Sequence, residues 1–142
     1  MERFIRGSVL EWAFEPLAKA NDPRLLLLFD RKSRELVGLA AHERAKLQAG
    51  DGSVFDATKL EVAALSVNWQ GRTFESGDRA SDVLMSAVMT DVSARAPPRD
   101  ARVFAVVHEQ NLRSIALCNR HGLINDMSRP NPTYRRLITE HR

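Results

Sequence analysis

An apolar run from Lys59 to Val67, a glycine-bearing loop, an amphipathic stretch from about Ala80 to Ala94 and a second apolar run from Arg102 to Val107 follow one another. A strand, a helix and a strand in succession call for a crossover that returns the chain to the same sheet, and such crossovers are right-handed. Val83, Leu84, Ala87, Val88 and Val92 recur at helical spacing and give the helix an apolar side. The loop and the helix N-terminus then fall at the carboxyl end of the first strand, where open α/β sheets bind ligands.

The flanking segments extend this core. Arg24 to Phe29 and Glu35 to Arg44 read as strands joined by the polar DRKSR, a hairpin. Before them, SVLEWAFEPLAKAN (Ser8 to Asn21) reads as a helix with Ser8 as N-cap, Glu11 at capping-box spacing and a kink at Pro16. Gln48 to Ser53 reads as the most flexible segment, and RAPPRD ends the amphipathic helix. Downstream, Leu112 to His121 is a helix with Asn111 as N-cap and Gly122 in the left-handed position, closed by Leu123. After RPNP, Tyr134 to Thr139 is the last strand candidate. A hairpin followed by a crossover implies a mixed sheet with helices packed on it, an α/β (α+β) fold in one domain over residues 1–142.

Composition narrows the function. A hydrophobic fraction of 44% and a charged fraction of 27% are those of a soluble globular protein. The single cysteine, Cys118, excludes an internal disulfide framework and points to a reducing cytoplasm. No stretch reads as a signal peptide, and Leu25 to Phe29, the longest apolar run, is too short to span a bilayer. The net charge of +3 rests mainly on arginine, whose planar fork suits phosphate and carboxylate groups. A nucleic-acid partner is disfavoured: no long basic run demands one, and NLRSIALCNRHG, read as a recognition helix, follows a strand instead of a partner helix. His108, Cys118 and His121 lack zinc-ligand spacing, so no metal is expected.

The loop NWQGRTFESGDRAS, Asn68 to Ser81, has two readings. The free N–H groups of a helix start, with glycines and Arg72 and Arg79 beside them, attract an anion. Ser76, Asp78 or Ser81 can instead cap that helix and leave an ordinary surface loop. The loop has neither the G-x-x-x-x-G-K-[ST] nor the G-x-G-x-x-G arrangement, which excludes a P-loop and disfavours a dinucleotide fingerprint.

LEVAALSVNWQGR followed by ASDVLMSAVMTDV resembles the acyl-CoA-binding strand, loop and helix of the GNAT acyltransferase superfamily. VFAVVHEQNLRSIALCNRHGL resembles that family's next strand and helix, with Asn111, Ser114, Ile115, Leu117, Arg120, Gly122 and Leu123 in the matching places. The likeness covers about Leu36 to Leu123 and implies a GNAT-like, mostly antiparallel sheet. It implies an acyl-CoA-dependent N-acyltransferase moving an acetyl group from acetyl-CoA to an amine by direct attack. Backbone at Leu65, Ser66 and Val67 would orient the pantetheine. Gln70, Gly71, Arg72, Gly77, Arg79, Ala80 and Ser81 would form the diphosphate loop, with Asn111 a further contact. Three departures stand out: TFESGD expands the loop, the N-terminal portion is short, and Cys118 occupies the place where the family often has a tyrosine acid. Glu61 and His108 are candidate bases, and Cys118 and Tyr134 candidate acids. The alternative is a CoA-binding or regulatory module without turnover. Exposed strand edges make a homodimer plausible.

Overall fold

The computed structural model describes residues 21–94, 102–128 and 131–139. The expected helix from Ser8, apart from Asn21, and the segment RAPPRD lie outside the described residues. Among the described residues six strands form one sheet: β1 (Arg24–Phe29), β2 (Leu36–Gln48), β3 (Val54–Leu65), β4 (Arg102–His108), β5 (Leu123–Asn125) and β6 (Tyr134–Thr139). Helix α1 (Ala80–Ser93) links β3 to β4, and α2 (Leu112–Arg120) links β4 to β5. The order across the sheet is β1-β2-β3-β4-β6-β5, and only β3 and β4 run parallel. This is the mixed sheet that the crossover and hairpin imply, and it is mostly antiparallel, as the resemblance implies.

The Gln48 to Ser53 segment corrects the sequence reading. It is a tight turn: Ala49 N–H donates to Ser53 O at 2.8 Å, and Asp51 Oδ1 accepts from the Ser53 amide and hydroxyl. Gly52 supplies the φ of 89° that the turn needs. β2 and β3 reach this turn because Leu47 and Ala57 remain buried on alternate positions, while the exposed Lys46 and Asp56 pair across the strands. The polar members of that alternation hid the strand ends. β3 also stops at Leu65, earlier than expected, because Val67–Trp69 wind into a 3₁₀ turn. The short β5 was missed; Leu123 reads from sequence only as a helix-closing contact.

The main core joins Ala40, Leu60, Val103, Ala105 and Leu137 of the sheet to Leu84, Met85 and Val88 of α1 and Ile115 and Cys118 of α2. Met85 is wholly buried, whereas Val83, Ala87 and Val92 are only half-buried, so the buried stripe is rotated slightly from the expected one. His42, wholly buried on β2, bonds through Nε2 to Asp91 Oδ2 at 2.7 Å and ties the sheet to α1.

Two local devices shape the carboxyl end of β3. The register skips one residue between His42↔Leu60 and Ala41↔Val62, so Glu61 is the extra residue of a β-bulge. Gly38, paired with Leu65, lets the strands approach: a Cβ there would meet Ala64 O at 2.7 Å. Gly38→Ala is therefore expected to cost about 1–2 kcal/mol, read as a lower midpoint in urea, because a backbone atom must give way.

Among the described residues β3 and β4 pair only from Ala57↔Arg102 to Lys59↔Phe104. Beyond that point Leu60–Leu65 and Ala105–His108 diverge. The divergence opens the sheet between two parallel strand ends.

Candidate active site

The opening is a cleft of about 1090 Å³ walled by the diverging ends of β3 and β4 and by the N-terminal approaches to α1 and α2. Leu65, Ser66, Val67, Gln70, Gly71, Arg72, Arg79, Ser81 and Asn111 line it, as do Glu61, His108 and Cys118. Three residues singled out in the sequence do not: Gly77, Ala80 and Tyr134. Ala80 is instead fully buried against Val37 and Trp69.

The expanded loop keeps its ends together. Ala80 N–H donates to Arg72 O at 3.0 Å, and Thr73 and Arg79 face each other as an isolated antiparallel bridge. Between them, Phe74 N–H donates to Asp78 O and Gly77 N–H to Phe74 O, both at 2.9 Å. TFESGD is thus a miniature hairpin, with Gly77 at φ 89° serving its turn. Its feet are hydrogen-bonded, so Gly71-Arg72 stands directly beside Ala80-Ser81.

The start of α1 lacks a side-chain cap. Arg79 occupies the N-cap position and contributes no capping bond. Ser76 Oγ donates to Asp78 Oδ2 at 2.9 Å, so the expected caps satisfy each other. The Ser81 and Asp82 N–H groups have no acceptor among the described residues, and neither Arg79 nor Arg113 has an ion-pair partner among them. Free helix-start donors and unpaired arginines beside a cleft make an anion-attracting end. Arg113, in the first turn of α2, also lines the cleft; from the sequence it stood out only as part of NLRSIALCNRHG, the disfavoured recognition helix. On the strand side, Ser66 N–H is taken by Val37 O at 2.8 Å, whereas the Val67 and Asn68 amides have no acceptor among the described residues.

Asp82, in the first turn of α1, would repel an anion there, but it is engaged elsewhere. His121 Nε2 lies 3.0 Å from its Oδ1, and Arg120 donates to the same oxygen from Nε at 3.2 Å and from its terminal nitrogen at 3.1 Å. The His121 hydrogen bond holds the Asp82 carboxyl below its ordinary value of 3.8; partial burial opposes this, and Arg120 reinforces it. A depressed folded-state carboxyl gives stability that is present above the unfolded value and lost as pH falls through the lower folded value. Asp82→Asn is therefore expected to lose about 0.5–1 kcal/mol near neutral pH and to flatten the acid limb of stability below pH 3.8. Thermal melts across pH check this; an unchanged acid limb would contradict it.

The catalytic candidates divide. Glu61 lies in the cleft at the bulge, 24% exposed, with Lys59 Nζ 3.5 Å away. His108 ends β4 and pairs across the sheet with Tyr134, their rings edge to face at 5.4 Å. Gln110 N–H donates to His108 Nδ1 at 3.1 Å, which puts the ring proton of the neutral imidazole on Nε2. Tyr134 is 49% exposed. Cys118 is only 5% exposed and burial pushes its thiol up, so it behaves as a core residue at the cleft floor. Asn111 caps α2 by accepting from Ser114 N–H at 3.3 Å, leaving its amide NH₂ for other contacts.

Among the described residues, no His, Cys, Asp and Glu groups gather as a metal site, and no helix is long and apolar enough to cross a membrane. No protein-family profile and no curated protein sequence matches the chain. Solved structures do. A Thermoplasma acidophilum PaiA N-acetyltransferase in complex with coenzyme A superposes with a TM-score of 0.58 at 12% identity, covering 99% of this chain and 74% of that one. An acetyltransferase of Thermus thermophilus gives 0.55 at 19% identity, covering 82% and 62%. A Bordetella pertussis protein assigned to the GNAT-family acetyltransferases gives 0.53 at 21% identity, covering 84% and 66%. The chain thus spans somewhat less than two thirds of the length of the last two. The fold is that of the GNAT N-acetyltransferases, in a divergent form.

Proposed function

We propose that the chain binds an acyl-CoA, acetyl-CoA in the first instance, and transfers the acyl group to an amine by direct attack in a ternary complex. The observation that carries this reading is the uncapped start of α1, with Arg72 and Arg79 beside it, facing a cleft opened by two parting parallel strands. The diphosphate would take the Ser81 and Asp82 amides and the two guanidinium groups. Pantetheine amides would lie along the unpaired edge of β3 and use the Val67 and Asn68 N–H groups. In the transfer, the amine nitrogen forms a bond to the thioester carbonyl carbon while the carbon–sulfur bond breaks. Glu61 takes the amine's proton, directly or through one water. His108 Nε2–H is a hydrogen-bond donor to the carbonyl oxygen or the departing sulfur, since Nδ1 is already occupied. A thiol titrating near ~8.5 leaves as thiolate without strong acid assistance, so the buried Cys118 is not required as an acid.

The burial of Cys118, where the family often carries a tyrosine, favours one second reading: a CoA-binding module without turnover. Thiol release from acetyl-CoA in the presence of a panel of primary amines separates the two. Amine-dependent release supports the transferase. Binding of acetyl-CoA with no release for any amine supports the module, and no binding at all defeats both.

A further inference from the structure

We infer that Trp69 is a positioning residue for Arg72, and that the inserted hairpin Thr73–Arg79 locks it in place. This rests on the acyl-CoA reading of the cleft and specifies how one arm of its anion site is held.

Trp69 is 4% exposed although it sits in a surface loop, on the 3₁₀ turn that follows β3. Its indole Nε1–H donates to Glu35 Oε2 at 3.1 Å. Phe74, the first apolar residue of the inserted hairpin, lies against it with ring centroids 5.1 Å apart, and Val37 and Ala80 complete the packing. With those neighbours fixed, the indole offers its ring to the Arg72 guanidinium, whose central carbon stands 4.1 Å from the ring centroid. A second anchor holds the same group: a terminal Arg72 nitrogen donates to Asn68 O at 3.2 Å.

Arg72 lines the cleft mouth and keeps donors beyond the one spent on Asn68. An arginine free on a loop gives up rotamer freedom whenever it binds an anion. One already stacked and hydrogen-bonded loses less, so its contribution appears as affinity. The hairpin's other tie, Lys32 to Glu75 at 2.7 Å, joins two highly exposed groups and contributes little. Phe74 is therefore the part of the insertion that matters for the site. The insertion thus builds one side of the anion site.

The test titrates wild type, Trp69→Leu, Trp69→Phe, Arg72→Ala and the Trp69→Leu/Arg72→Ala double variant with acetyl-CoA. Each is also titrated with S-acetylpantetheine, which lacks the phosphates, followed by ligand-observed NMR. Trp69→Leu and Arg72→Ala are each expected to weaken acetyl-CoA binding roughly tenfold. The double variant is expected to be no weaker than about the worse single, since both remove the same contact. S-acetylpantetheine should bind all variants alike. Trp69→Phe retains a ring and a filled core, and is expected to lose about threefold with the same ligand selectivity, so the inference can be decided without Trp69→Leu. Equal weakening of both ligands would mean that Trp69 acts through folding, and losses that multiply in the double variant would mean that it acts independently of Arg72; either would overturn the inference. Failure of wild type to bind either ligand would instead sink the acyl-CoA reading itself.

Discussion

Replacing Glu61 by Gln is expected to lower the rate of amine-dependent thiol release by about a hundredfold or more, the usual loss when a general base is removed. Acetyl-CoA affinity should stay within about twofold, because the carboxylate lies on β3 among the strand residues of the cleft and away from the α1 start. The bulge is why this position matters. By inserting one residue opposite the His42 region, it turns Glu61 into the cleft on a strand whose neighbours Leu60 and Val62 keep their pairing with β2. Lys59 Nζ, 3.5 Å away, steadies the carboxylate without enclosing it. The substitution preserves shape and removes only the proton-accepting group, so a fall in kcat with unchanged binding isolates that role. An unchanged kcat would move the base elsewhere, with His108 the next residue in the cleft to test.

Arg79→Glu is expected to weaken acetyl-CoA binding by about a hundredfold. A charge-assisted hydrogen bond to a phosphate contributes about 1.5–3 kcal/mol, and reversing the charge replaces that attraction with repulsion. Arg79 has no ion-pair partner among the described residues, and its backbone, not its side chain, starts the helix by accepting from Val83 N–H at 3.0 Å. The variant should therefore fold normally and melt within a few degrees of wild type, which makes the binding loss attributable to the site. Added salt should weaken wild type more than the variant, because the screened attraction is the term that the variant lacks. Equal affinity for acetyl-CoA in both proteins would remove the α1 start from the proposed diphosphate site.

The succession of strand, loop, helix and strand was legible because its apolar positions keep one period over long runs, from Lys59 through Val107. Asn111 and Gly122 were legible as caps because each residue type has one strong local reason to stand at a helix end, and the structure gives the expected side-chain bond and a φ of 86°. The outer ends of β2 and β3 were not, since their exposed positions carry Lys46, Asp56 and Gln48, which read as loop. The fate of the inserted hairpin was also hidden. Whether TFESGD breaks the cradle depends on one backbone bond, Ala80 to Arg72, and no residue type announces it. Twelve of the fifteen residues singled out in the sequence line one cleft. Tertiary geometry keeps the other three out of its lining: Gly77 serves the hairpin turn, Ala80 faces inward, and Tyr134 is the cross-strand partner of His108. Trp69 was passed over because the loop was read for its glycines, hydroxyls and arginines; its place three residues before Arg72 is the signal that was available.

The most direct test of the central claim is a calorimetric titration of the purified wild-type chain with acetyl-CoA. The account predicts saturable one-to-one binding that Arg79→Glu weakens by about a hundredfold. A folded wild-type protein that gives no binding heat with acetyl-CoA, and none with longer acyl-CoAs, would contradict it and leave the GNAT fold here as a scaffold for a different ligand.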